Sequence, residues 1–272
     1  MDGGAAGRMA RSLAGPSVRR ARRELQWRTC GADLDLDIAS VDGYGHPVAD
    51  HATPLFRQLA GVDPALQRNK VVNLRLAAAR LDGRVVQPGQ RFSFWRLVGP
   101  PSARRGYLDG LVLDDGHLTA GVGGGLCQLT NLIYWMSVHT PLTVVERWRH
   151  SYDVFPDAGR TQPFGSGATC AWPSLDLQLE NRTLTAFRLG TRVTDTRLVG
   201  AWTASSRVLT GYHVYEAGHV MTNDAPGVFS RHNVLRRRVL DARGRAVDDE
   251  LVAVNHARLM YQPFLPAGRT SG

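Results

Sequence analysis

The sequence predicts an α+β fold, and three observations carry that prediction. An apolar stripe of helical period, Leu129, Leu132, Ile133 and Met136 at i, i+3, i+4 and i+7, follows a cysteine and stops near His139-Thr140-Pro141, where proline ends a helix. Short alternating segments rich in β-branched residues fill the C-terminal third. Ahead of the stripe, Gly121-Val122-Gly123-Gly124-Gly125-Leu126-Cys127-Gln128 holds four glycines that cannot stabilise a helix or strand by side-chain packing. It reads as a loop that lets backbone come close to something.

In chain order, residues 1–24 form a basic arm in which Arg8, Arg11, Arg19, Arg20, Arg22 and Arg23 crowd together with few apolar residues and no secretion-signal core. A solvated, disordered tail is expected, with charge available for peripheral contact with an anionic membrane, and the expected location is the cytoplasm. Residues 25–68 are broken by Pro, Gly and Asp, and no long element is predicted there. Val71, Leu74 and Ala78 set against Val72, Leu76 and Ala79 predict a helix from Asn69 to Leu81, closed by the Asp82-Gly83 turn. Val85-Val86, Phe92-Ser93-Phe94-Trp95 and Gly110-Leu111-Val112-Leu113 are read as strands, the last ending at Asp114-Asp115-Gly116. Leu142 to His150 is read as one strand, whose alternation puts His150 on a face with Leu142, Val144, Glu146 and Trp148. Further β segments are expected at 174–179, 186–193, 197–201, 211–215, 233–240 and 251–257. The organisation expected is the arm 1–24, the segment 25–68, a core 69–190 and a β-rich extension 191–272.

At 272 residues and 43% hydrophobic content the chain is long enough for one large domain. Its net charge of +9 is carried almost wholly by arginine, since Lys70 is the only lysine. Arg236-Arg237-Arg238 interrupts an alternating segment without interleaved aromatics, so it is expected to face solvent, and nucleic acid is not an expected partner. No stretch approaches the roughly eighteen apolar residues of a membrane span. Cys30, Cys127 and Cys170 are odd in number and widely spaced, against both a disulfide framework and a zinc site, and fit a reducing compartment. The nine histidines show no ligand spacing, the glycine loop lacks the Lys and Ser/Thr of a P-loop, and Gly165-Ser166-Gly167 falls short of the spacing of a nucleophile elbow. No metal or cofactor is therefore expected.

The chemistry left is that of a nucleophilic thiol. Free cysteine most often behaves as a small core hydrophobe, but a core cysteine needs no glycine loop before it. Cys127 falls at a helix start, where free N–H groups and the helix dipole favour thiolate over thiol. Such a nucleophile needs a base from another element, and His150, at the far end of the segment returning from the helix, is the candidate. Asp153, Asp157 and Asp176 are the candidates to orient it, with Asp176 favoured by its strand-like setting. Gln128 and the backbone of Gly123, Gly124 and Gly125 are candidates to bind substrate or an oxyanion. Cysteine at a helix start, histidine on a strand and an orienting polar residue form the layout of papain-like and transglutaminase-like acyl-transfer sites, and the core is expected to share it by analogy.

Several segments together resemble the VanW family, named for an accessory protein of vancomycin B-type resistance clusters. They are Asn69-Lys70-Val71-Val72-Asn73-Leu74, Val86-Gln87-Pro88-Gly89-Gln90-Arg91-Phe92-Ser93-Phe94-Trp95, Gly123 to Gln128, Val145-Glu146-Arg147 with His150-Ser151, and Pro163 to Thr169. The resemblance runs from about residue 69 to 190 and extends to Asn255-His256-Ala257-Arg258-Leu259-Met260-Tyr261. It implies a connection to bacterial cell-envelope or glycopeptide-related biology. Family members often carry Asp where this chain has Gly167, so that position supplies no third catalytic residue. They usually carry an aliphatic residue at Cys170, which the resemblance therefore makes the weaker candidate nucleophile.

Two readings stay open from sequence. In one, the chain is a cysteine-dependent acyl-transfer enzyme, a peptidase, amidase or amide-forming transferase acting on a peptide or amino-acid conjugate. In the other, it is a non-catalytic module that binds an envelope precursor or peptide over the glycine loop, walled by Trp95, Tyr107, Trp135 and Trp148.

Overall fold

The structure, a computed structural model, describes residues 15–56, 63–114, 116–154 and 162–261. It is mixed α and β, with four helices of one turn or more set among thirteen strands in the described residues. The first helix, α1 (Pro16–Thr29), corrects the reading of a disordered arm from residue 16 onward. Arg8 and Arg11 lie outside the described residues. The buried residues of α1 are Arg23 and Trp27, at i and i+4, so its docking face is one guanidinium and one indole. Trp27 Nε1 donates to Ser93 Oγ at 3.1 Å, and its ring lies 6.2 Å from that of Trp172. Arg23 forks onto Glu146 through Nη1–Oε2 at 2.6 Å and Nη2–Oε1 at 2.7 Å. It also donates to the carbonyls of Pro173 and Ser174, each at 2.8 Å. Arg20 and Arg22 remain exposed.

The described residues of the segment 25–68 also fold. They contribute β1 (His46–Pro54) and the start of α2 (Pro64–Leu81), whose N-cap Asp63 accepts from Ala65 N–H at 2.7 Å, with proline at the first helical position. The buried face of α2 contains Val71, Leu74 and Ala78, while Val72 and Ala79 are exposed. β1 pairs antiparallel with β10 (Arg197–Ala204), which pairs with β9 (Phe187–Val193), and β2 (Val85–Val86) closes this sheet in the order β1-β10-β9-β2. A boundary at residue 190 would thus cut β9 in two.

β3 (Arg91–Ser93) ends where Ser93 caps a short helix, α3 (Phe94–Val98), so Phe94 and Trp95 are helical rather than strand residues. β3 joins β8 (Gln178–Glu180) and β6 (Thr143–Glu146) in a second sheet. β4 (Asp109–Asp114) and β5 (His117–Val122) form a hairpin. β5 alternates Leu118, Ala120 and Val122 with His117, Thr119 and Gly121, yet nearly all of its residues are exposed. The long strands β11 (Gly211–Ala225), β12 (Val228–Leu240) and β13 (Ala246–Leu259) form an antiparallel ribbon, extended in parallel by β7 (Tyr152–Asp153). On it, Arg236 pairs with Asp249 at 2.7 Å. Arg237 pairs with Glu250 at 2.7 Å and also donates to the carbonyls of Val138 and Thr140, so this one arginine turns into the fold, whereas the Arg236 pair lies at the surface and Arg238 is exposed.

At the centre lies α4 (Cys127–Ser137), as the stripe predicts. Leu129, Leu132, Ile133 and Met136 are all 0–1% exposed against β1 and β10, each contributing about 1.5–3 kcal/mol of burial. Among the described residues no helix is long and apolar enough to cross a membrane.

Candidate active site around Cys127

The glycine loop serves the fold first. A Cβ on Gly124 would lie 2.1 Å from the carbonyl carbon of Gly110, so only glycine permits the two backbones to touch here. Gly125, at φ 92°, turns the chain into α4 with its Cα against the stem of Lys70. Asn73, fully buried on α2, fixes the loop by donating to the carbonyls of Gly124 at 3.0 Å and Leu108 at 2.9 Å, and accepts from Leu108 N–H. The N–H of Gly123 donates to Leu108 O and that of Gly124 to Gly121 O, which removes both as oxyanion donors. Gln128 is removed as well, since its Nε2 donates to Thr53 Oγ1 at 2.9 Å and Pro54 O at 2.8 Å, tying α4 to β1. Gly125, Leu126 and Cys127 hold N–H groups with no backbone acceptor among the described residues.

Cys127 is the first residue of α4 and is half-buried. One turn of this helix grips a single extended segment, Gly167 to Cys170. Thr130 Oγ1 donates to Ala168 O at 2.6 Å and Asn131 Oδ1 accepts from Ala168 N–H at 2.7 Å. A Cβ on Gly167 would stand 2.5 Å from Asn131 Oδ1, so the asparagine fills the space that a side chain at 167 would need. On its other side the segment pairs with the chain leading to His150, Thr169 N–H donating to Trp148 O at 2.7 Å. Arg147 clamps it further, donating to the carbonyls of Gly165 and Gly167 and to Asn255 Oδ1. Asn255 in turn donates to Asn233, and Asn233 to Phe164 O, so the C-terminal ribbon helps to hold the site.

This segment places Cys170 against Cys127. The two sulfurs are 3.9 Å apart, and the N–H and carbonyl of Cys170 each lie 3.5 Å from the Cys127 sulfur. The Cys127 thiol is held well below its ordinary range. The hydrogen bond with the Cys170 side chain does most of this, burial opposes it, and a hydrogen bond from His150, the imidazole's charge and the Cys170 N–H add to it. Burial and the neighbouring Cys127 sulfur push Cys170 up. The structure thus brings Cys127 and His150 together, although β6 ends at Glu146 and His150 stands beyond it rather than on the strand. The chain leaves the sheet there because Glu146 is bound by Arg23, Trp148 Nε1, Asp176 N–H and Gln178 Nε2.

Asp176 is not placed as the orienting residue. It is fully buried before β8, accepting from Ser93 Oγ at 2.5 Å, Trp95 N–H at 3.0 Å and Gln178 Nε2 at 3.3 Å, beside Arg23 at 4.0 Å. Asp153 faces Arg231 at 3.7 Å, and Asp157 lies outside the described residues. Burial pushes the Asp176 carboxyl up to about 6, Ser93 and Arg23 pulling down and Glu146 adding to the rise. A carboxyl that binds its proton more tightly in the folded chain stabilises fully below its unfolded value of about 3.9 and loses that contribution as pH rises through about 6. The unfolding free energy of the wild type relative to Asp176→Asn is therefore expected to fall by on the order of 2–3 kcal/mol between pH 4 and pH 7. Urea unfolding of both proteins across that range checks it.

Of the aromatics read as pocket walls, Trp95 and Tyr107 are buried at 2% and 3% exposure and cannot line an open site, while Trp135 and Trp148 are half-buried. Sequence reasoning missed Thr130, Asn131 and the pairing of Cys170. Cys127, Thr130 and Asn131 do recur at i, i+3 and i+4, a polar face opposite the apolar stripe. Among the described residues no cluster of His, Cys, Asp or Glu could hold a metal.

The fold and site together define an α+β protein with a paired-cysteine and histidine site at the start of its central buried helix. The model of the family described as VanW like protein matches residues 69–203. The chain is 32% identical to the vancomycin B-type resistance protein VanW of Enterococcus faecalis over 207 residues, which covers 76% of this chain and 75% of that one. It belongs to the VanW family. It is also 32% identical over 110 residues to the uncharacterized protein YoaR of Bacillus subtilis, covering 40% of this chain and 35% of that relative's length. No solved structure matches the chain.

Proposed function

We propose that this chain is a cysteine-dependent acyl-transfer enzyme acting on a peptide or amino-acid conjugate, in the setting of vancomycin resistance that its enterococcal relative's name records. The observation that carries the reading is the placement of Cys127 at a helix start, with the Cys170 sulfur 3.9 Å away and His150 hydrogen-bonded to the thiol, surroundings that lower it. In this reading Cys127 attacks the acyl carbonyl, His150 takes the thiol proton and returns it to the leaving group, and the N–H groups of Leu126 and Cys127 face the developing oxyanion. The layout is that of a papain-like or transglutaminase-like site without the carboxylate at Asp176. Any peripheral membrane contact would fall to the exposed Arg20, Arg22 and the residues before them.

The reading of a non-catalytic module loses its main support, because the glycine loop is packed on Gly110 and Lys70 instead of standing open to a ligand. An activated ester such as p-nitrophenyl acetate separates the two. The enzyme reading expects a burst of about one nitrophenolate per chain, with acetyl on the Cys127 peptide and no burst from Cys127→Ser. Wild-type protein that releases no burst and carries no acetyl at Cys127 would sink it.

A further inference from the structure

Acyl transfer gives Cys170 no role, yet its sulfur stands 3.9 Å from the nucleophile's. The two thiols are free, and they come from elements 43 residues apart. Cys127 is fixed by the first turn of α4. Cys170 is fixed at the end of a segment held by Thr130, Asn131 and the Trp148 carbonyl. The folded frame, not chain proximity, therefore sets their separation. Reaching a bonding distance of about 2.05 Å requires the sulfurs to close by roughly 2 Å, within reach of side-chain rotation. Cys30 is placed differently, its sulfur set against the carbonyls of Trp27 and Ala32 at the end of α1.

We propose that Cys127 and Cys170 form a reversible disulfide that closes the site, with a small-molecule disulfide as the oxidant. The Cys127 thiolate attacks one sulfur of the oxidant, breaking its S–S bond, forming a mixed disulfide and releasing one thiol. Cys170 then gives up its proton and attacks the Cys127 sulfur, forming the internal S–S bond and expelling the second thiol. One disulfide is broken and one made, and the two electrons and two protons lost by the cysteines are gained by the oxidant. The order of attack follows from the site: the Cys127 thiol is lowered and the Cys170 thiol raised, so Cys127 reacts first and Cys170 resolves. That the bond silences catalysis rests on the function proposed above; the bond itself does not.

The test equilibrates the full chain in graded mixtures of oxidised and reduced dithiothreitol, quenches in acid, alkylates free thiols in denaturant and maps peptides without reduction. The expected result is one two-electron transition that yields a Cys127–Cys170 cross-linked peptide and lowers the alkylated cysteines from three to one, leaving Cys30. In Cys170→Val, Cys127 stays alkylated throughout. Full alkylation of Cys127 and Cys170 across the whole range, in protein with a native circular dichroism spectrum, would overturn the proposal, as would a cross-link from Cys127 to Cys30. An equilibrium measurement is indifferent to which thiol attacks first. An absent cross-link would leave the thiolate reading of Cys127 standing, and a cross-link in protein that no ester acylates would keep the disulfide and remove the enzyme.

Discussion

Arg23→Ala is expected to destabilise the protein by about 3–5 kcal/mol, the range for breaking a buried ion pair by removing one partner. The guanidinium is 4% exposed and Glu146 13%, and truncation leaves the carboxylate buried among groups arranged around a cation. Two further acceptors, the carbonyls of Pro173 and Ser174, lose their donor at the same time. Trp148, Asp176 and Gln178 still donate to Glu146, which holds the loss toward the lower end of the range. Urea midpoints at unchanged slope measure it, with Arg20→Ala and Arg22→Ala as exposed controls expected within about 0.5 kcal/mol of wild type. Adding Glu146→Gln to Arg23→Ala should recover part of the loss, because the stranded charge is then gone. Equal, small effects for all three arginines would return α1 to a tail.

His150→Ala is expected to slow acylation of Cys127 by about 10²–10⁴-fold near neutral pH, the span that one positioned acid–base group supplies. The variant loses the hydrogen bond and the charge that His150 brings to the sulfur. It keeps the Cys170 bond and the helix start, so the thiol rises only part of the way to its ordinary value. Acylation with the activated ester reads the rate, and unfolding of the same variant shows that the fold is intact.

How far the sequence reveals this molecule depends on whether an element's signal is local. The helix after Cys127 was legible because its buried residues recur with helical period, and β9, β10 and β13 because their alternation survives in the strands. α1 was not legible, since its buried face is an arginine and a tryptophan and the arginine was read as solvated charge. Its meaning depends on Glu146, 123 residues away. The alternation of Leu118, Ala120 and Val122 in β5 is short and marks no buried face, since the strand is exposed on both sides. The start of α2 was legible in principle, because Asp63-Pro64 is an N-cap followed by proline at the first helical position. In the site, the helix-start cysteine and its histidine could be found from placement and residue chemistry. Asp176 was misassigned because strand-like alternation says nothing about which partner a buried carboxylate meets, and Ser93 and Trp95 reach it from another element. The approach of Cys170 is likewise a product of the hydrogen bonds from Thr130 and Asn131.

The pH dependence of alkylation reads directly whether Cys127 is a thiolate held by its neighbours. Wild type and His150→Ala are treated briefly with iodoacetamide at graded pH, and the Cys127 peptide is quantified by mass spectrometry. The expected inflection for Cys127 lies well below the roughly 8.5 of a free thiol and moves upward in His150→Ala. An inflection near 8.5 in both proteins would mean an ordinary thiol at Cys127.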